Sequence, residues 1–156
     1  MSATVHMDEL DRRIVRALQI DATLTHATLG EKVGASHASS WRRVKALEAA
    51  GVLTRPVWLV DPSRVGRGVS VMLQVRIKSH ALDQRQPFET FLLARPEVME
   101  CFSMSGEWDY LLRIVVADVA DYERFLMREL LNQPNVATSA SHFALSQVKY
   151  TTAIPV

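Results

Sequence analysis

Apolar residues recur at every fourth position in Leu10, Ile14 and Leu18, the spacing of one buried helix face. Asp8 stands before them as an N-cap, and Asp11 adds negative charge where the helix dipole favours it. A second helix is predicted from Thr25, because Leu24 and Leu29 have hydrophobic-staple spacing and Gly34 can end it at positive φ. Gly30 inside that helix costs about 1 kcal/mol relative to alanine. After a short turn, Ser36 caps a third helix running to about Leu47. Trp41, Val44 and Leu47 form its inward stripe, Gly51 stops it and Val52 packs back.

The pattern changes after residue 51. Residues 52–60 are β-rich, and Pro56 cannot donate to a ladder, so they read as an edge strand and connector. Asp61-Pro62 signals a turn, and Arg64, Gly66, Arg67 and Gly68 read as a hinge. Val71, Leu73, Val75 and Ile77 then alternate with Met72, Gln74 and Arg76, which is strand periodicity. Pro87 suits the first turn of a helix with Phe88, Phe91 and Leu92 inward, ended by Pro96. Strands follow at 98–104 and 110–116. Asp118 caps a longer helix with Val119, Tyr122, Leu126 and Leu130 on its core side. Pro134 ends it, and residues 136–149 supply the last strand. The order is βαββαβ, the ferredoxin-like split. The expected class is α+β: three helices over residues 1–51, a β connector and hinge over 52–68, and the ferredoxin-like domain over 69–156.

Leu112, Ile114 and Val116 alternate with Leu111 and Val115, so this strand is apolar on both faces. Such strands are covered on both sides. The chain has no further helix for the second face, and another subunit, most simply in a twofold dimer, is expected to supply the cover.

The 156 residues, 48% hydrophobic and 22% charged, make an ordinary globular composition with a net charge of +1. That balance selects no partner. The single cysteine, Cys101, rules out an internal disulfide framework. No apolar run reaches the ~20 residues of a membrane span, and residues 1–7 lack the pattern of an export leader. A cytoplasmic location is expected.

Two helices joined by a short turn form a helix-turn-helix, whose second member can enter the major groove of DNA. On that helix His37, Ser39, Ser40, Arg42, Arg43 and Lys45 lie largely outside the apolar stripe. Arginine can bridge guanine or grip phosphate, although the same face would suit any solvated basic helix. Catalysis is not expected. Cys101 lies mid-strand in an apolar run and reads as core. His6, His26, His37, His80 and His142 are scattered without metal-ligand spacing, and no phosphate-binding loop is present.

Taken together, Asp8-Glu9-Leu10-Asp11, Ser40-Trp41-Arg42-Arg43-Val44-Lys45 with Leu47-Glu48 and Gly51-Val52, Asp61-Pro62, Pro96-Glu97-Val98, Ser105-Gly106-Glu107-Trp108-Asp109-Tyr110-Leu111-Leu112 and Val148-Lys149 resemble the leucine-responsive and asparagine-regulator (Lrp/AsnC) family of bacterial and archaeal transcription regulators. The resemblance runs from Asp8 to Pro155. It implies a helix-turn-helix joined to a regulatory (RAM) domain that assembles dimers, tetramers or octamers and binds a small effector, usually an amino acid, between subunits. It implies no other cofactor, and a nucleoid-associated protein of the cytoplasm. Carried onto this chain, it places DNA contacts at Ser36, His37, Ser39, Ser40, Arg42, Arg43 and Lys45, with Trp41 mainly in packing. It places the effector at Met104, Gly106, Glu107, Trp108, Asp109, Ser139 and Ser141. Asp109 could instead satisfy only local backbone donors of a tight turn. An architectural DNA-binding protein without effector is the alternative.

The chain departs from the family pattern in several places. Arg55-Pro56 and Trp58 replace a usual Gly-Tyr and a small residue in the connector, Gly30 a usual alanine, Ser40 a frequent cysteine, and Ser139 and Ser141 common threonines.

Overall fold

The computed structural model describes residues 4–156. Residues 1–3, the start of the segment read for an export leader, lie outside them. The chain divides into two units, one of residues up to Trp58 together with Lys149–Val156, the other of Leu59–Val148.

The first unit is helical: α1 (Glu9–Ile20), α2 (His26–Val33) and α3 (His37–Ala49). Each begins at the cap that the sequence predicts. At α1 a reciprocal capping box forms, Asp11 N donating to Asp8 Oδ1 at 2.9 Å and Asp8 N to Asp11 Oδ2 at 3.2 Å. Thr25 and Ser36 accept from the backbone N–H of Thr28 and Ser39. Gly34 and Gly51 end α2 and α3 at φ 69° and 71°, and Val52 N reaches back to Leu47 O at 2.9 Å. Ile14, Leu29, Val33, Val44 and Leu47 form the buried core. Gly30 lies in the tightest part of the helix-turn-helix, where a Cβ would stand 2.8 Å from Ala35 O and 3.1 Å from Ser40 Oγ. Residues 149–156 complete the unit on the outer side of α1. Gln19 exchanges two hydrogen bonds with the Ile154 backbone, Arg16 donates to Val156 O, and Val156 packs against the core.

Residues 52–60 form no strand, which corrects the sequence reading. A strand exists only in a ladder, and among the described residues nothing pairs with this segment. Val57, Trp58, Leu59 and Val60 remain exposed. A single 3₁₀ turn, Pro62–Val65, follows, capped by Asp61 and closed by Gly66 at φ 70°.

The second unit contains β1 (Val69–Ile77), α4 (Leu82–Leu93), β2 (Val98–Ser103), β3 (Tyr110–Val116), α5 (Val119–Arg124) and β4 (Val136–Phe143). The strands form one antiparallel sheet in the order β2-β3-β1-β4, as expected of a ferredoxin-like domain. One face, led by Val71, Leu73, Val75, Leu112, Ile114 and Val116, buries against Phe88, Leu92, Tyr122, Phe125 and Leu130. On the opposite face Met72, Leu111 and Val115 are only half-buried, and Phe102 is 51% exposed.

Three boundaries differ from the reading. First, α4 starts five residues before Pro87, so the proline sits inside the helix and leaves the Asp83 carbonyl without its usual donor. Second, α5 passes into a π-helical turn, Phe125–Leu130, in which Leu131 N bonds to Leu126 O. Phe125, at the start of this turn, is buried in the core, whereas Val119, at the start of α5, is exposed. Third, β4 stops at Phe143. Its partner β1 begins at Val69, Ala144 N takes the Ser70 carbonyl, and beyond that the ladder has no further rung. No helix among the described residues is long and apolar enough to cross a membrane, and no cluster of metal-binding side chains occurs among them.

Candidate functional site

Ser40, Val44 and Leu47 set the buried side of α3. At about 100° per residue, Ala38, Arg42, Lys45 and Ala49 point the opposite way, and all four are exposed. Arg42 enters no ion pair among the described residues. Ser36 and His37 are exposed at the helix start, and Ser39 is half-buried. Lys45 pairs with Glu48 at 2.7 Å, with its Nζ 4.5 Å from the Trp41 ring centroid.

Three residues of this helix depart from the roles read for them. Ser40 is fully buried, and its hydroxyl donates to Ser36 O at 2.8 Å, so it lies within the core and not at a groove floor. Arg43 turns towards α1. Its Nη1 is 2.7 Å from Asp8 Oδ2 and 3.2 Å from Asp11 Oδ1. The Asp11 backbone N–H, and then Arg43, hold the Asp8 carboxyl below its ordinary 3.8, while the two carboxylates push the Arg43 guanidinium up. Trp41 is 40% exposed and not part of the inward stripe. It packs on His26 of α2 with ring centroids 4.8 Å apart. No sequence pattern marks His26 here, because the contact depends on the angle at which α2 meets α3.

The second candidate site is the turn between β2 and β3. Gly106 adopts φ 118°, and Met104 N bonds to Asp109 O at 2.8 Å. Asp109 is drawn inward: its N donates to Val75 O at 3.0 Å and its Oδ2 accepts from Ile77 N at 2.8 Å. His80 Nε2 lies 3.5 Å from Oδ1. Arg76 reaches Glu107 Oε1 at 2.8 Å and lies 5.2 Å from the Trp108 ring. The turn is thus fastened to the end of β1, with Met104, Gly106 and Glu107 exposed. Ser139 and Ser141 stand opposite Val75 and Leu73 in the ladder and so share their helix-packed face. The Ser141 hydroxyl is engaged with the Tyr122 hydroxyl, which corrects its reading as a free ligand donor. Cys101 is exposed on edge strand β2, not a core residue. Partial burial, then Glu89, pushes its thiol above the ordinary 9.0, a poor setting for a nucleophile.

Two family models match the chain that carries these sites: the AsnC-type helix-turn-helix domain over residues 7–48 and the Lrp/AsnC ligand binding domain over residues 70–154. The chain belongs to the Lrp/AsnC family. It is a DNA-binding transcription regulator with a ligand-binding domain, not an enzyme. It is 35% identical to the DNA-binding transcriptional activator DecR of Escherichia coli over 96% of this chain and 99% of that protein. It is 36% identical to the glutamate uptake regulatory protein of Zymomonas mobilis, over 96% and 90% respectively. Among solved structures, a Neisseria meningitidis transcriptional regulator in complex with L-Met superposes with a TM-score of 0.92 at 34% identity, covering 96% of this chain and 97% of the other. An AsnC family regulator from Agrobacterium tumefaciens superposes with a TM-score of 0.91 at 43% identity and the same coverage.

Proposed function

We propose that this Lrp/AsnC regulator reads duplex DNA with the outward side of α3, as a dimer working on the bacterial or archaeal nucleoid, and that an amino acid tunes it. Arg42 and Lys45 make the phosphate or base contacts, with Ser36, His37 and Ser39 at the helix start. The observation that carries this is the exposed row Ala38, Arg42, Lys45 and Ala49. Two alanines let the helix approach the groove, and one arginine without an ion pair is free to bind there. Arg43 is a structural clamp in this reading.

The effector is proposed at the Gly106–Asp109 turn. Gly106 leaves backbone amides open to a ligand carboxylate, Trp108 and Met104 can bound a side chain, and a neighbouring subunit closes the site. The L-Met complex of the Neisseria relative and the glutamate role in the name of the Zymomonas relative support an amino acid as the class. Dimerisation is supported by the half-covered sheet face carrying Met72, Leu111, Val115 and Phe102. Tetramers or octamers of such dimers accord with the family resemblance.

A thermal-shift screen with the twenty amino acids tests the effector. A ligand at 100 times its Kd adds about 2.7 kcal/mol and raises Tm. No shift with any of them removes the amino-acid reading and leaves either a ligand of another class or an architectural DNA-binding protein without effector.

A further inference from the structure

The basic DNA contacts proposed above, Arg42 and Lys45, lie on the outward side of α3. A second group of side chains lies on the flank of α3 that faces the start of α2. His37 and Trp41, one turn apart on α3, meet His26, the first residue of α2. The His26 and His37 ring centroids are 6.0 Å apart, those of His26 and Trp41 4.8 Å. In a docked helix-turn-helix the second helix enters the groove while the preceding helix crosses the backbone. The flank between their N-terminal ends therefore faces one sugar–phosphate strand.

Trp41 is equipped for such a strand. Its indole is 40% exposed, and its Nε1–H finds no acceptor among the described residues. The ring is already held, with His26 packed against it at a tilt of 38° and Lys45 Nζ 4.5 Å from its centroid. A donor fixed before binding loses little rotamer freedom on contact. His26 Nδ1 is buried and has no hydrogen-bond partner among the described residues, so packing against Trp41, and not a hydrogen bond, sets the imidazole in place.

We infer that Trp41 donates its indole N–H to the DNA backbone and that His26 is the positioning residue that holds the indole for it. This rests on the DNA-binding reading; it adds His26 and gives Trp41, which the family resemblance places mainly in packing, a contact with DNA.

The test uses the full chain and a duplex that the wild-type protein selects from a random-sequence pool, with poly(dI-dC) as competitor. Trp41→Ala and His26→Ala each weaken binding about tenfold. A neutral donor releases no counterion, so both keep the wild-type slope of log K against log salt, whereas Arg42→Ala lowers that slope by about one. His26→Phe keeps an aromatic packing surface and restores wild-type affinity. In 5-fluorotryptophan-labelled wild-type protein, the ¹⁹F resonance assigned to Trp41 through Trp41→Phe moves on saturation with the duplex. That measurement decides the matter even where an alanine variant fails to fold. The inference is overturned by alanine variants that bind like wild type, by a slope that falls as it does for Arg42→Ala, by failure of His26→Phe to rescue, or by a fluorine resonance that stays put. If the pool enriches no duplex, the DNA-binding reading itself falls, and the inference with it.

Discussion

At the scale of single residues, two adjacent arginines have opposite assignments. Arg42 points outward with no ion pair among the described residues, and Arg43 is bound to Asp8 and Asp11. Arg42→Ala is expected to weaken DNA binding and flatten its salt dependence with Tm unchanged. Arg43→Ala is expected to lower Tm and leave the salt slope as it was. Anisotropy titrations at several salt concentrations, beside calorimetry, separate the two. The same clamp predicts a pH effect. The Asp8 carboxyl is held below 3.8 in the folded chain, so its contribution is complete above that value and disappears as pH falls through the lowered one. Asp8→Asn should therefore flatten the acid limb of the stability curve, and a limb of unchanged steepness would contradict the assignment. Adjacent basic residues look alike in sequence. Which one faces α1 is settled only by the helix packing.

At the scale of elements, the capped helix starts were legible and the boundaries set by distant partners were not. Asp8, Thr25, Ser36 and Asp118 each cap a helix through a donor three residues on, an interaction contained within one turn of chain. The connector forms no strand despite its β-rich composition, which states what a segment can pair with, not whether a partner exists. Pro87 misled because a proline inside a helix is rarer than one at its start. The π turn at Phe125 is invisible to a fixed 3.6-residue period. In the candidate sites, the Gly106–Asp109 turn and the exposed α3 residues were readable. The burial of Ser40 and the engagement of Ser141 by Tyr122 were not, since both depend on packing between elements. Gly30 shows the limit of propensity. Alanine would add about 1 kcal/mol of helix preference, yet its Cβ would stand 2.8 Å from a backbone carbonyl. Overpacking of this kind costs roughly 1–3 kcal/mol, so Gly30→Ala should lower Tm by a few degrees. A Tm that rises would show that the turn yields at no cost.

At the scale of the whole molecule, the half-covered sheet face is the feature that most needs a second chain. Leu111→Lys puts an unpaired charge in the middle of that face, where Leu111 is already half-buried in the single chain. Light scattering coupled to size exclusion should then find the monomer mass, with the helical signal in circular dichroism retained. A dimer of wild-type stability would move the subunit interface elsewhere.

The two hydrogen bonds between Gln19 and Ile154, with Val156 lodged beside the helical core, also bear on how the protein is made. During translation the three-helix head leaves the ribosome long before the segment that finishes it. The newborn head therefore waits, incompletely sealed along α1, while the ninety residues of the sheet domain, Leu59–Val148, are synthesised. Messages truncated before codon 149 should consequently yield heads that proteases digest faster than those of the full-length product.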